Sequence, residues 1–165
     1  MNAVEEDNLH RVVIGIGSNI EPKKNIPLAV ANLSRLSQIL AISRVYQTSP
    51  VGGVGPDFLN AAAVVETGLA TSRLRLAVLR RIESDLGRNR GVDPNTPRTI
   101  DLDILIYDGN ILDQNLWTLA HLCVPVSDLL PLFEDSAQNK FLKNRAEELY
   151  ASSKIIPVPL EFHWR

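Results

Sequence analysis

Thr99-Ile100-Asp101-Leu102-Asp103-Ile104-Leu105-Ile106-Tyr107 alternates without a break: Ile100, Leu102, Ile104 and Ile106 fall on one side, Asp101, Asp103, Leu105 and Tyr107 on the other. A period of two is the mark of a half-buried β-strand. Upstream, Thr71 to Leu86 reads as a helix. Leu74, Val78, Ile82 and Leu86 line one face, Arg81 and Asp85 make an i,i+4 pair, and Gly87 suits the stop. Before it lie two apolar strands, Ala41 to Thr48 and Phe58 to Glu66, joined by Pro50-Val51-Gly52-Gly53-Val54-Gly55-Pro56, a run too rich in glycine and proline for regular structure. Asn25 to Leu40 shows the three-and-four spacing of a helix in Ile26, Ala29, Val30, Leu33, Leu36 and Leu40, with Asn25 as cap and Pro27 in the first turn. Arg11 to Ile16 is the first strand, ended by Gly17-Ser18-Asn19. The order is β-α-β-β-α-β. It predicts an α+β, ferredoxin-like sandwich, two helices on one face of a mostly antiparallel four-stranded sheet, with a C-terminal extension.

The 165 residues fit one compact domain, predicted here as residues 11–165 after a flexible tail at 1–10. That tail is polar and acidic and lacks the basic start and apolar core of a secretory signal. No stretch approaches the roughly 20 apolar residues of a membrane span. Cys123 is the single cysteine, which excludes an intrachain disulfide and points to the cytoplasm. Net charge is −2, from 17 basic and 19 acidic residues, which argues against a nucleic-acid-binding protein. Seven arginines nevertheless fall between Arg73 and Arg98, so a local anion site remains open. A monomer is expected.

Two aspartates on one strand face stand about 7 Å apart and repel. Asp is also depleted from strands, so Asp101 and Asp103 call for compensation, which divalent cations bridged by phosphate oxygens would supply. A solvated edge strand is the bland alternative. Arg88, Arg90 and Arg98 lie on the loop that leads into these carboxylates, and guanidinium forks match phosphate oxygens, or simply pair with the aspartates. No Walker-type phosphate loop is present, and Gly15-Ile16-Gly17 does not make one. Glu83, five residues before Arg88, suits a hydrogen bond to a nucleotide or to an arginine. Thr48, Pro50 and Val51 with Phe58 and Asn60 could form a slot for a flat polar heterocycle, stacked on the ring and read at its edge, or a hairpin that packs its own side chains. His121 beside Cys123 has no nucleophile signature.

The chain resembles the 6-hydroxymethyl-7,8-dihydropterin pyrophosphokinases of folate biosynthesis from Val12 to Tyr107. The resemblance rests on Gly17-Ser18-Asn19, Tyr46-Gln47-Thr48-Ser49-Pro50-Val51-Gly52, Pro56-Asp57-Phe58-Leu59-Asn60, Ile82-Glu83, Gly87-Arg88-Asn89-Arg90 and, most specifically, Pro97-Arg98-Thr99-Ile100-Asp101-Leu102-Asp103-Ile104-Leu105. It implies transfer of a diphosphate from ATP to the pterin alcohol, releasing AMP. Asp101 and Asp103 would hold two Mg²⁺ ions, and Arg98 would act beside the transferred group. Glu83, Arg88, Arg90, Arg98, Ile104 and His121 would serve the nucleotide, and Thr48, Pro50, Val51, Phe58 and Asn60 the pterin. Loops after Gly17, around Gly53 and from Arg88 to Pro97 would be the covers. Partners would be the two substrates and other folate-pathway enzymes.

Departures are Thr96 in place of glycine, Pro94 where a charge is common, and a shortened stretch after Tyr107. If Thr118-Leu119-Ala120-His121 matches the family's Pro-His segment, His121 serves the nucleotide. If Val124-Pro125-Val126-Ser127-Asp128-Leu129 matches its Val-Pro-Leu strand, His121 falls near the second stacking aromatic. Neither match restores the family's arginine. The rival functions are a divergent copy that binds nucleotide or pterin and regulates a partner, and a ferredoxin-like module for RNA or protein. The sheet lacks the aromatic-rich strands of the common RNA-binding version.

Overall fold

The computed structural model describes residues 8–91, 93, 96–135 and 140–164. Strand β1 (His10–Ser18) occupies the middle of a mixed-length antiparallel sheet. It pairs with β4 (Phe58–Thr67) on one side and with β5 (Asp101–Tyr107) on the other. β2 (Gln38–Ile42) and β3 (Val45–Thr48) pair with successive parts of β4, and β6 (Asn110–Ile111) and β9 (Ile155–Val158) extend the two edges. The central order β5-β1-β4-β3 is the ferredoxin-like one.

Helix α1 (Pro22–Leu36) and a second helical run cover one face. That run comprises α2 (Thr71–Arg73), a π-helical segment Leu74–Leu79 and α3 (Arg80–Asp85). Ile26, Ala29, Val30 and Leu33 interlock there with Leu74, Val78, Ile82 and with Ile100, Leu102 and Ile104 of the sheet. The extension closes the other face, where α4 (Ala120–Leu129) and α5 (Leu142–Ser152) bury Cys123, Val124, Val126, Leu142 and Ala146 against Val13, Tyr46, Ala62 and Leu105. Between them in the chain, β7 (Glu134–Asp135) and β8 (Lys140–Phe141) form a short antiparallel pair. Among the described residues no helix is long and apolar enough to cross a membrane.

Several sequence expectations are corrected. α1 begins at Pro22, whose fixed φ suits the first helical position, and ends at Leu36; Pro27 lies inside it, and Leu40 belongs to β2. Asn25 is no N-cap: it is buried, and its Nδ2 donates to the Ile20 carbonyl at 2.7 Å. The stretch from Ala41 to Thr48 is two strands, broken at Ser43, whose hydroxyl takes the Ala62 N–H at 2.8 Å in place of a backbone partner. β1 starts one residue earlier than the read strand, at His10, held by Asp108 through a 2.7 Å contact; residues 1–7 of the expected tail lie outside the described residues, as does Pro94.

The alternation of residues 99–107 also breaks. Val13 pairs with Ile106 and Ile14 with Ile104, so Leu105 is the extra residue of a β-bulge. The bulge shifts the phase, placing Leu105 and Ile106 together on the α4/α5 side and returning Tyr107 to the side of Ile104. Val124 to Leu129, considered as a strand, is helical. An apolar run of that length has no period that separates a buried helix from a buried strand.

Candidate active site

A pocket of about 360 Å³ opens on the α4 side of the sheet. β1 lays Gly15, Ile16 and Gly17 across its floor. Thr48, Pro50 and Val51 come from β3 and the loop after it, Phe58 and Asn60 from β4, and Arg98, Asp101 and Asp103 from the approach and start of β5. His121 and Leu122, in the first turn of α4, close the remaining side.

The floor is close-packed at its two glycines. A Cβ on Gly15 would come within 3.1 Å of Leu105 Cδ1, and one on Gly17 would stand 3.4 Å from Asn60 Oδ1. Asn60 is 4% exposed, and its Nδ2 donates to Thr48 Oγ1 at 2.9 Å and to the Tyr46 carbonyl at 3.4 Å. Its donor is thus committed, and Oδ1 remains as an acceptor toward the space above Gly17. Phe58 lies directly across from Thr48 in the β3/β4 register, with the Arg98 guanidinium 6.0 Å from its ring centroid. The glycine-rich loop stands open. Val51 and Val54 are 74% and 85% exposed, and Gly52, Gly53 and Gly55 adopt φ of 86°, 73° and 102°, values that side chains resist.

At the other end both oxygens of Asp101 are paired, Oδ1 with Arg88 Nη1 at 3.0 Å and Oδ2 with Arg98 Nη1. Arg88 Nη1 also donates to the Ile100 carbonyl at 2.8 Å. Asp103 is in a different state. Although solvent reaches it through the pocket, burial first, and then the charges of Asp101, Glu83 and Asp113, push its carboxyl up to about 6, with Arg75 as the opposing charge. Burial lowers the His121 pKa, Asp113 and Asp101 act against this, and Arg98 adds to it; the imidazole is therefore neutral at neutral pH.

Glu83, Arg88, Arg90 and Ile104 do not line the pocket. Glu83 is 1% exposed; one oxygen accepts the Leu102 N–H at 2.9 Å and the other is ion-paired with Arg90. β6 pairs only with Ile106 and Tyr107, so Leu102 lies on an open strand edge whose donor Glu83 satisfies. The Ile104 side chain is 2% exposed and packs in the core beneath α1, because it alternates with Asp103.

Sequence reasoning gave no role to Ser18, Asn19 and Asp113. Ser18 Oγ donates to the Thr99 carbonyl at 2.6 Å, Asn19 Oδ1 accepts the Arg98 N–H at 2.7 Å, and Asn19 N–H returns to the Arg98 carbonyl at 3.1 Å. The pair fastens the approach to β5 onto the end of β1. A polar pair directly after an apolar strand was the available signal. For Asp113, whose charge reaches both Asp103 and His121, the sequence carries none.

The profile of the 7,8-dihydro-6-hydroxymethylpterin-pyrophosphokinase family matches residues 13–131. The 2-amino-4-hydroxy-6-hydroxymethyldihydropteridine pyrophosphokinase of Pseudomonas aeruginosa is 34% identical over 135 residues, covering 74% of this chain and 82% of that protein. The Haemophilus influenzae protein of the same name is 35% identical over 127 residues, covering 73% and 78%. The mitochondrial folate synthesis bifunctional protein of Arabidopsis thaliana is 38% identical over 132 residues, 73% of this chain and 24% of its own length. The fold matches that of Plasmodium falciparum HPPK-DHPS with a TM-score of 0.72 at 11% identity, over 90% of this chain and 47% of that one. The chain belongs to the 7,8-dihydro-6-hydroxymethylpterin-pyrophosphokinase family, the pyrophosphokinases of folate biosynthesis.

Proposed function

We propose that the pocket transfers the β,γ-diphosphate of ATP to the hydroxymethyl oxygen of 6-hydroxymethyl-7,8-dihydropterin, with the residue roles that follow. The supporting observation is convergence: a ring face, a fixed amide acceptor, an arginine and two carboxylates line one cavity. Phe58 stacks on the pterin, Asn60 Oδ1 accepts from its ring edge, and Thr48, Pro50 and Val51 form the side of the slot. His121 stands as the second wall.

Among the described residues no three His, Cys, Asp or Glu side chains are grouped to hold a metal unaided. Asp101 and Asp103 supply at most four carboxylate oxygens, and each Mg²⁺ wants about six donors, so phosphate oxygens and water would have to complete the shells. The donor set fits Mg²⁺ carried on ATP. Two such ions would neutralise the triphosphate and polarise the β-phosphorus. In the transfer the pterin hydroxyl oxygen bonds to that phosphorus as the bond to the bridging α-phosphate oxygen breaks; the electron pair leaves with AMP and the hydroxyl proton passes to water. Arg98, poised between Phe58 and Asp101, contacts the transferred group. Arg88 and Arg90 serve the nucleotide side, Glu83 holds Arg90 and β5 in place, and Ile104 contributes by its backbone. The loops after Gly17 and around Gly53 close over the substrates; the third expected cover, from Arg88 to Pro97, includes residues 92, 94 and 95, which lie outside the described residues.

Residues 109–119 contain neither arginine nor histidine, which favours a slower member of the family. The reaction is assigned to the cytoplasm, and a second folate enzyme is the partner suggested by the bifunctional relative. Incubating the purified protein with ATP, Mg²⁺ and the dihydropterin should release AMP, with none when Mg²⁺ or the pterin is withheld. AMP release that ignores the pterin would overturn the assignment.

A further inference from the structure

We infer that Asp128, seven residues beyond His121 on α4, is a positioning residue for the pterin side of the pocket; the inference rests on the pterin reading given above. The Asp128 side chain is 16% exposed and gathers four donors. Arg44 contributes its backbone N–H at 3.2 Å, Nε at 3.2 Å and Nη2 at 2.7 Å, and Tyr46 its hydroxyl at 2.8 Å. All four come from β3 or the residue before it. One carboxylate therefore ties α4, which brings His121 to the pocket, to the strand that brings Thr48.

Two features make α4 depend on that tie. Its N-terminus has no side-chain cap. Pro125 lies inside the helix and has no N–H to give the carbonyl four residues back, which is that of His121. The His121 carbonyl thus lacks its ladder bond. Cys123 N–H closes the first turn on the Leu119 carbonyl at 2.9 Å, yet tertiary contacts carry more of the orientation of His121 than in an uninterrupted helix. Seven residues are about 10 Å of helix and close to two full turns, so Asp128 and His121 share a face. The network reaches the opposite wall as well: Tyr46 pairs with Asn60 across the sheet, and its carbonyl accepts from Asn60 Nδ2 at 3.4 Å. Tyr46 is 1% exposed, and burial first, then the bond to Asp128, keeps its phenol protonated and donating.

Asp128→Asn and Arg44→Ala test the clamp. The Arg44 side chain is 70% exposed, so its removal leaves the core intact. Each variant should raise the KM for the dihydropterin about fivefold and leave the KM for ATP within about twofold. In the ligand-free protein each should also shift the NMR signals of the His121 ring, which a general loss of stability would not do selectively. Parallel rises in both KM values, or a motionless His121 ring, would overturn the inference. Asn60→Ala serves as the reference. If it weakens pterin binding while both clamp variants leave it unchanged, the clamp alone is refuted. If Asn60→Ala is silent as well, the pterin reading falls and takes the clamp with it.

Discussion

At the proposed heterocycle end of the pocket Asn60 is buried with its donor already committed to Thr48 and Tyr46, whereas at the proposed phosphate end Asp103 faces three other carboxylates. The first arrangement is fixed before a ligand arrives. The Asn60 amide is held by its donor, which leaves Oδ1 as the acceptor above Gly17. The second is held by mutual neutralisation at Asp101 and is left uncompensated at Asp103, so positive charge brought by a ligand lowers its energy. Shape is preorganised at one end, and unmet charge is stored at the other. The largest test of this contrast is to remove the charge.

Asp101→Asn and Asp103→Asn should each drop AMP release by at least about a thousandfold while the fold survives. The Asp103 variant should also separate stored charge from ordinary catalytic loss. Burial and the neighbouring carboxylates push its carboxyl in the folded protein up to about 6, above the roughly 3.9 of an unfolded chain. Between those values the folded state binds the extra proton, so this group's stability contribution is present at low pH and lost as pH rises through about 6. Melting of the ligand-free protein from about pH 4 to 7 should decline for the parent relative to Asp103→Asn. A parent and variant that melt in parallel would mean that Asp103 stores no repulsion.

Glu83 sharpens the comparison because it belongs to the phosphate end by sequence and to the scaffold by structure. Glu83→Ala strands the Leu102 N–H on an otherwise open edge and frees Arg90, a loss of about 2–3 kcal/mol in stability. Glu83→Gln keeps an acceptor for Leu102 and should recover part of it. Denaturant unfolding of the two variants provides the measurement. If stability is untouched while MgATP affinity collapses, Glu83 contacts the nucleotide directly.

The ordering of strands and helices through Tyr107 was legible because α1 is half-buried and keeps its period in Ile26, Ala29, Val30 and Leu33, while β1 and β4, buried on both faces, read as apolar runs bounded by turn residues. Where the chain departs from period, the sequence misled. The bulge at Leu105 is a one-residue shift fixed by pairing with Val13 and Ile14, and no local propensity announces it. α4 is buried and apolar, so its helical state is decided by α5 and the sheet rather than by its own pattern. The candidate site was legible where residues act on one strand, as with Asp101 and Asp103. Asn19 on Arg98 and Asp128 on Tyr46 join positions 79 and 82 residues apart, a relation that a single sequence does not display.

His121 yields the smallest expected effect and decides the most about which end it belongs to. The sequence left two matches open, one giving it to the nucleotide and one to the pterin. It lines the pocket that Phe58 and Asn60 share, and burial keeps its ring neutral, which suits an imidazole lying flat on a heterocycle better than one pairing with phosphate. His121→Ala should therefore weaken pterin binding by about 0.5–1.5 kcal/mol, the usual value of a ring contact beyond its buried area, and leave MgATP affinity unchanged. His121→Phe should bind the pterin at least as well as the parent, because it keeps the stacking face and gives up only the ring nitrogens. Calorimetric titration of each variant with each ligand separates the cases. Loss of MgATP affinity in both, with pterin affinity intact, would move His121 to the phosphate end, where its nitrogens rather than its ring would be what matters.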